Sequence, residues 1–127
     1  MILVDTDILI DYLNDWSPMA ERVTALIKAD SLQTTSINCF ELLSGARAGK
    51  RGDRTREFVN NIPVLSLDLP SAKKAAEIRQ TLEKVGAAIE MADSLIAGIA
   101  LENNLPLLTR NRRHFEGVEG LRLVDLT

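Results

Sequence analysis

Three carboxylates and one amide in this chain are spaced so that they could share a single site. Asp5 closes a short apolar run, Ile2-Leu3-Val4. Such a bounded run reads as a buried strand of a parallel sheet. A carboxylate at its end lies at the carboxyl edge, where open α/β sheets bind ligands. Glu41 falls in the second turn of the helix expected after the second strand. Asp93 falls in the first turn of the helix expected before the fourth strand, and Asn111 follows that strand by two residues. Crossover helices run antiparallel to the strands they join, so all four positions reach one edge. Several carboxylates in one low-dielectric cleft repel each other and raise one another's pKa values. A bound cation best explains the arrangement, and oxygen donors suit a hard ion, Mg2+ or Mn2+. The single Cys39 and the single His114 are too few and badly placed for a zinc site. A metal ion on carboxylates is common machinery for phosphodiester hydrolysis. It lowers the pKa of a bound water, positions it and neutralises charge on the phosphate.

Each residue also has a plainer reading. Asp5 could be a turn or cap residue. Asp7 is favoured as a helix cap over a ligand. Glu41 could be an ordinary exposed helix residue, but Ser44, Gly45 and Ala48 leave an open groove beside it. Asp93 could complement a helix dipole, yet its neighbours Met91, Ala92, Leu95 and Ile96 make an unpaired carboxylate costly. Asn111 alone reads as a loop residue, and Glu90 ranks below the others.

The elements that must position these groups alternate between strand and helix. Strands are expected at residues 2–4, 31–35, 64–67, 106–109 and 121–124. Helices are expected at 8–13, from Pro18 to about residue 29, from Ser36 to 48, at 53–59, 71–85 and 91–101. Asp7 or Thr6 is the expected cap of the first helix, Ser36 of the third and Asp53 of the fourth. Gly86 is the expected C-terminal stop of the fifth. The helix at 91–101 is apolar almost all round, hence buried. This alternation predicts one α/β domain over residues 1–127 with a mainly parallel sheet.

Composition sets the outer limits. The chain has 127 residues, enough for one domain with a real core. Aromatic residues make up 4%, so the core must be aliphatic. No apolar run reaches the roughly 18 residues of a membrane helix. The start of the chain lacks the basic region of a signal peptide. Together with one lone cysteine, this points to a reducing cytoplasm. A net charge of −3 argues against nucleic-acid binding by bulk charge. The distribution matters more, because Arg47, Lys50, Arg51, Arg54 and Arg56 form one basic cluster. Arg110, Arg112, Arg113 and His114 form a second. Either cluster alone reads as a solvated surface.

The four motifs resemble those of a known family. Val4-Asp5-Thr6-Asp7-Ile8-Leu9-Ile10 is similar to the opening motif of PIN-domain ribonucleases. Glu41-Leu42-Leu43-Ser44-Gly45-Ala46 resembles their second motif and Asp93-Ser94-Leu95-Ile96-Ala97 their third. Thr109-Arg110-Asn111-Arg112-Arg113-His114-Phe115 resembles the fourth. Order, spacing and length are similar to the VapC-type toxins of toxin–antitoxin pairs. The resemblance implies a three-layer α/β/α fold with a five-stranded sheet in the order 3-2-1-4-5. It implies an endoribonuclease that leaves a 5′-phosphate and a 3′-hydroxyl. Asp5, Glu41, Asp93 and Asn111 would form the catalytic set, with Asp5, Glu41 and Asp93 holding Mg2+ or Mn2+. Some members carry Asp at the fourth position, so Asn111 weakens a second metal site and could instead hold a water or a phosphate. Thr6 and Thr109 could orient the ligating carboxylates. Arg47, Lys50, Arg51, Arg110, Arg112 and Arg113 are the expected RNA contacts. Trp16 could stack on a base, but packing between the first two helices or in an interface is favoured. The resemblance further implies a homodimer, and a hetero-oligomer with an antitoxin placed on the apolar faces of the first helices.

Two rivals are weighed against this. A haloacid-dehalogenase-type phosphatase also begins strand-Asp-x-Asp, with the first Asp as nucleophile. That pattern has Thr or Val two positions after the second Asp, where this chain has Leu9. A non-catalytic PIN-like RNA-binding module would be expected to have lost a carboxylate, and none of the three is missing.

Overall fold

Leu3 and Val4 are fully buried, and they set the centre of the molecule. The computed structural model describes residues 1–127. Its strands are β1 (Ile2–Val4), β2 (Leu32–Thr35), β3 (Val64–Leu65) and β4 (Leu107–Leu108). Its helices are α1 (Thr6–Leu13), α2 (Met19–Lys28), α3 (Ser36–Gly45), α4 (Lys50–Asn61), α5 (Leu69–Lys84), α6 (Met91–Glu102) and α7 (Arg112–Phe115). The sheet order is β3-β2-β1-β4 and every pairing is parallel. Strand β1 is paired on both edges, through Ile2 with Leu32 and through Val4 with Leu108.

Successive side chains of a strand point to opposite faces, and this alternation sorts the core into two layers. Leu3 and Leu107 join Ile96, Ile99 and Phe115 on the face covered by α5, α6 and α7. Val4 and Leu108 join Ile8, Leu9, Val23 and Leu42 on the face covered by α1 to α4. The result is the expected α/β/α arrangement. No helix is long and apolar enough to cross a membrane.

The expected fifth strand at 121–124 is not a strand. That segment meets β4 at a single bridge, Leu107 with Leu123. The Leu107 N–H donates to the Arg122 carbonyl and the Val124 N–H donates to the Leu107 carbonyl, each at 2.9 Å. Alternation is again the reason. The carbonyls of Pro106 and Leu108 face inward and accept from Leu3 and Asp5. Only Leu107 offers its backbone on the outer edge before the chain turns away at Thr109.

Helices α5 and α6 share the most extensive helix–helix contact in the fold. A Cβ built on Gly98 of α6 would lie 2.6 Å from the Ser71 carbonyl oxygen and 2.9 Å from the Ala75 nitrogen of α5. Both are backbone atoms and cannot rotate away. Gly98→Ala therefore forces the helices apart. Overpacking of this kind costs about 1–3 kcal/mol, more than the roughly 1 kcal/mol of helix propensity gained. The expected result is a lower denaturant midpoint in an unfolding titration. Because Asp93 lies on α6, a shift there would reach the site.

Candidate active site

Asp5 stands where β1 ends and α1 begins. Its N–H donates to the Leu108 carbonyl at 3.0 Å, which fixes it in register with β4. Its own carboxylate caps α1, with Oδ1 accepting from the Thr6 N–H at 2.8 Å. The expected caps, Thr6 and Asp7, fall in the first turn because the helix starts at Thr6, two residues before the expected Ile8. Oδ1 also accepts from Asn38 Nδ2 at 2.9 Å, and Oδ2 from Thr109 Oγ1 at 2.7 Å. The residue is only 4% exposed, and no Lys, Arg or His side chain pairs with it. Its charge is held by hydrogen bonds alone. That satisfies the donor–acceptor count of a buried carboxylate but leaves its field uncancelled.

Glu41 reaches the same place from α3. The helix opens with a capping box built by Thr35 and Asn38, one residue before the expected cap Ser36. Asn38 is fully buried, and its Oδ1 accepts from Thr35. Its Nδ2 donates to Asp5 Oδ1 and to Thr6 Oγ1, both at 2.9 Å. Thr6 Oγ1 in turn donates to Glu41 Oε1 at 2.6 Å. One amide and one hydroxyl thus link the Asp5 and Glu41 carboxylates. Asn38 is absent from the residues expected at the site. The signal that could have found it is a Thr followed three residues later by a side chain able to reciprocate the cap, here just before Glu41.

Asp93 enters from the first turn of α6, where His114 Nδ1 of α7 lies 3.1 Å from its Oδ2. Burial pushes its carboxyl pKa up, His114 opposes this, and the Asp5 charge adds to the rise. Burial likewise raises Glu41, opposed by Thr6 and reinforced by Asp5, Asp93 and Asp7. Asp7 is raised by burial and by Asp5, against the N–H groups of Arg110 and Ile8. Four carboxylates therefore act on one another across this edge. No three His, Cys, Asp or Glu side chains are grouped closely enough to ligate one ion jointly in this arrangement.

Asn111 precedes α7 at the same edge, with its N–H donating to Thr109 Oγ1 at 3.0 Å. Its side chain is exposed and makes no hydrogen bond to protein.

The expected RNA contacts divide into free and engaged groups. Lys50 and Arg113 make no side-chain hydrogen bond. Arg47 and Arg51 donate to Ser44 and Asn14 at the rim of a groove that also holds Glu41 and Ile10. Arg113 and His114 rim a second groove beside Asp93. Arg112 donates to the Val124 carbonyl at 2.8 Å. Arg110 departs from the expectation, because both its terminal nitrogens are taken by Asp11. Trp16 is 56% exposed and does not pack between the first two helices.

A parallel sheet of this order, with carboxylates from β1, α3 and α6 facing each other at its carboxyl edge, defines a protein class. The chain belongs to the PIN domain family, whose model matches residues 2–121. Within that family it is similar to VapC ribonucleases. A tRNA(fMet)-specific endonuclease VapC of Shigella flexneri is 31% identical, covering 97% of this chain and 96% of that protein. Ribonuclease VapC1 of Methanocaldococcus jannaschii is 29% identical over 98% of this chain and 87% of its own. Among solved structures, the DNA-bound VapBC of Salmonella typhimurium superposes with a TM-score of 0.82 at 27% identity, over 98% of both chains.

Proposed function

We infer that the protein is an endoribonuclease and the toxin of a toxin–antitoxin pair. The observation that carries this is Asp5, a buried carboxylate without a counter-cation, faced by Glu41 and Asp93 at the sheet edge. Likeness to VapC ribonucleases along nearly the whole chain supports the reading.

We propose that the acidic edge takes Mg2+ or Mn2+. The donor set fits a hard cation, being all oxygen and mutually repelling, with no Lys, Arg or His paired with Asp5 or Glu41. Because no three of these side chains converge on one point, the edge suits an ion that retains several waters and takes only one or two carboxylates directly. Asp5, Glu41 and Asp93 are the residues that would hold it. When bound, such an ion supplies positive charge against the phosphate and acidifies a water.

The chain's own groups do the rest. Asn38 and Thr109 hold Asp5 at a fixed angle, Thr6 holds Glu41 and His114 holds Asp93. Hydrogen bonds behind a ligand set its orientation. The free amide of Asn111 would bind a phosphate oxygen or a water. Lys50 and Arg113 offset the acidic edge so that a phosphate chain can approach. Hydrolysis adds water across one P–O bond and leaves a 5′-phosphate and a 3′-hydroxyl.

The antitoxin would occupy the groove between α1, α3 and α4, where Ile10 and Leu13 meet Arg47 and Lys50. Exposed Phe40 and Leu43 on α3 support an apolar interface nearby, including one between two copies of the toxin.

The test is cleavage of total bacterial RNA and of initiator tRNA by antitoxin-free protein, with Mg2+, Mn2+ or EDTA. Cation-dependent internal cuts ending in 5′-phosphate are expected, lost with EDTA. A folded protein that binds RNA but never cuts it would instead be a non-catalytic binding module.

A further inference from the structure

We propose that Asp11 and Arg110 form a positioning pair for the active site, and that Arg110 acts on the reaction through the loop it ties down rather than through RNA. This rests on the ribonuclease reading above.

Asp7 and Asp11 lie one turn apart on α1, so they share a face. Both grip one residue. Asp7 Oδ2 accepts from the Arg110 N–H at 2.9 Å. Asp11 Oδ2 accepts from Nη1, and its Oδ1 accepts from Nη2 at 3.1 Å. The Asp11 side chain is 7% exposed, so the pair is half sunk into the fold. A planar two-pronged pair fixes direction as well as distance.

What Arg110 holds is the connection between β4 and α7. Thr109, just before it, donates to Asp5 and accepts from the N–H of Asn111. Asn111, just after it, precedes the helix whose His114 meets Asp93. Every group of this connection that reaches a carboxylate is thus within four residues of Arg110. Asp11 takes both terminal nitrogens of Arg110 and offsets its charge, so the pair presents a phosphate with little net positive field.

The experiment uses the full chain and an RNA that the wild type cuts. Asp11→Asn removes the charge and keeps the shape; Arg110→Lys keeps the charge and loses the fork. Each is expected to lower kcat several-fold, up to about the 10–100-fold cost of removing a group directly behind a metal ligand, with KM and RNA affinity almost unchanged. The double variant is expected to be no worse than either single one, as for residues acting as a unit. Asp11→Leu with Arg110→Met guards against misfolding, because it leaves no unpaired charge at the buried Asp11 position. It should fold and still show the low kcat. Full kcat in that variant overturns the proposal. So does a raised KM in Arg110→Lys, with the salt slope of RNA binding reduced by about 1 and Asp11→Asn unaffected, since that is the mark of a phosphate contact. Should the wild type itself fail to cut RNA, the ribonuclease reading fails alone. Amide hydrogen exchange at Asn111 then decides the pair: faster exchange in Asp11→Asn supports it, and unchanged exchange overturns it.

Discussion

Asp5→Asn is expected to abolish RNA cleavage, by more than about 100-fold, in a protein that melts close to the wild type. The loss exceeds that for a group behind a metal ligand, because the charge at the centre of the edge disappears. The fold survives for a local reason. An amide oxygen at position 5 still accepts from Thr6 and from Asn38. Its new NH2 meets Thr109 Oγ1, which can turn from donor to acceptor because a hydroxyl does both. Cleavage rate and circular dichroism on the same preparation check both halves. A cleaving Asp5→Asn protein would remove this carboxylate from the chemistry.

Asp93→Asn is expected to stabilise the protein in EDTA while inactivating it. The Asp93 carboxyl has a pKa raised above 3.8 by burial, against His114 and with Asp5. A carboxyl raised in the folded state binds its proton more tightly folded than unfolded. Its contribution is full below the ordinary value and is lost as pH rises through the raised one. At pH 7 the ionised group is thus a cost that the amide does not bear. Loss of the pair with half-exposed His114 is the smaller effect, because such pairs are well screened. The melting temperature of Asp93→Asn should exceed that of the wild type at pH 7, and the gap should close as pH falls towards 4. Mn2+ should reverse the order. A ligand at 100 times its Kd adds about 2.7 kcal/mol, and the variant should gain less of it. A lower melting temperature for Asp93→Asn in EDTA at pH 7 would show that the buried charge of Asp93 is not a cost to the fold.

The parts of the fold set by local pattern are legible in the amino-acid sequence. Ile2-Leu3-Val4 reads as a buried strand because its apolar run is bounded, and α6 reads as buried because it is apolar all round. The placement of Asp5, Glu41, Asp93 and Asn111 at one edge follows from parallel topology alone. The fifth strand misleads because 121–124 has strand composition, while strand formation depends on the free edge β4 offers. The caps of α1 and α3 fall earlier than expected, at Asp5 rather than Asp7 or Thr6 and at Thr35 rather than Ser36, since Asp5 and Thr35 each join a strand directly to a helix. Asn38 and the Asp11–Arg110 pair escape sequence reasoning for another cause. Their partners lie 33 and 99 positions away, beyond the reach of any periodicity.

The hydrogen bond from Thr109 to Asp5 spans 104 positions. During synthesis the first strand leaves the ribosome early, but β4 and Thr109 follow only near the end of the chain. At about 5–20 residues per second, Asp5 waits roughly 5–20 s for the neighbours that hold it. The edge of β1 that β4 will cover stays open for the same interval. A nuclease built this way cannot mature while its own message is still being read through most of its length. The wiring of the sheet thus leaves the site unassembled until the chain is nearly complete.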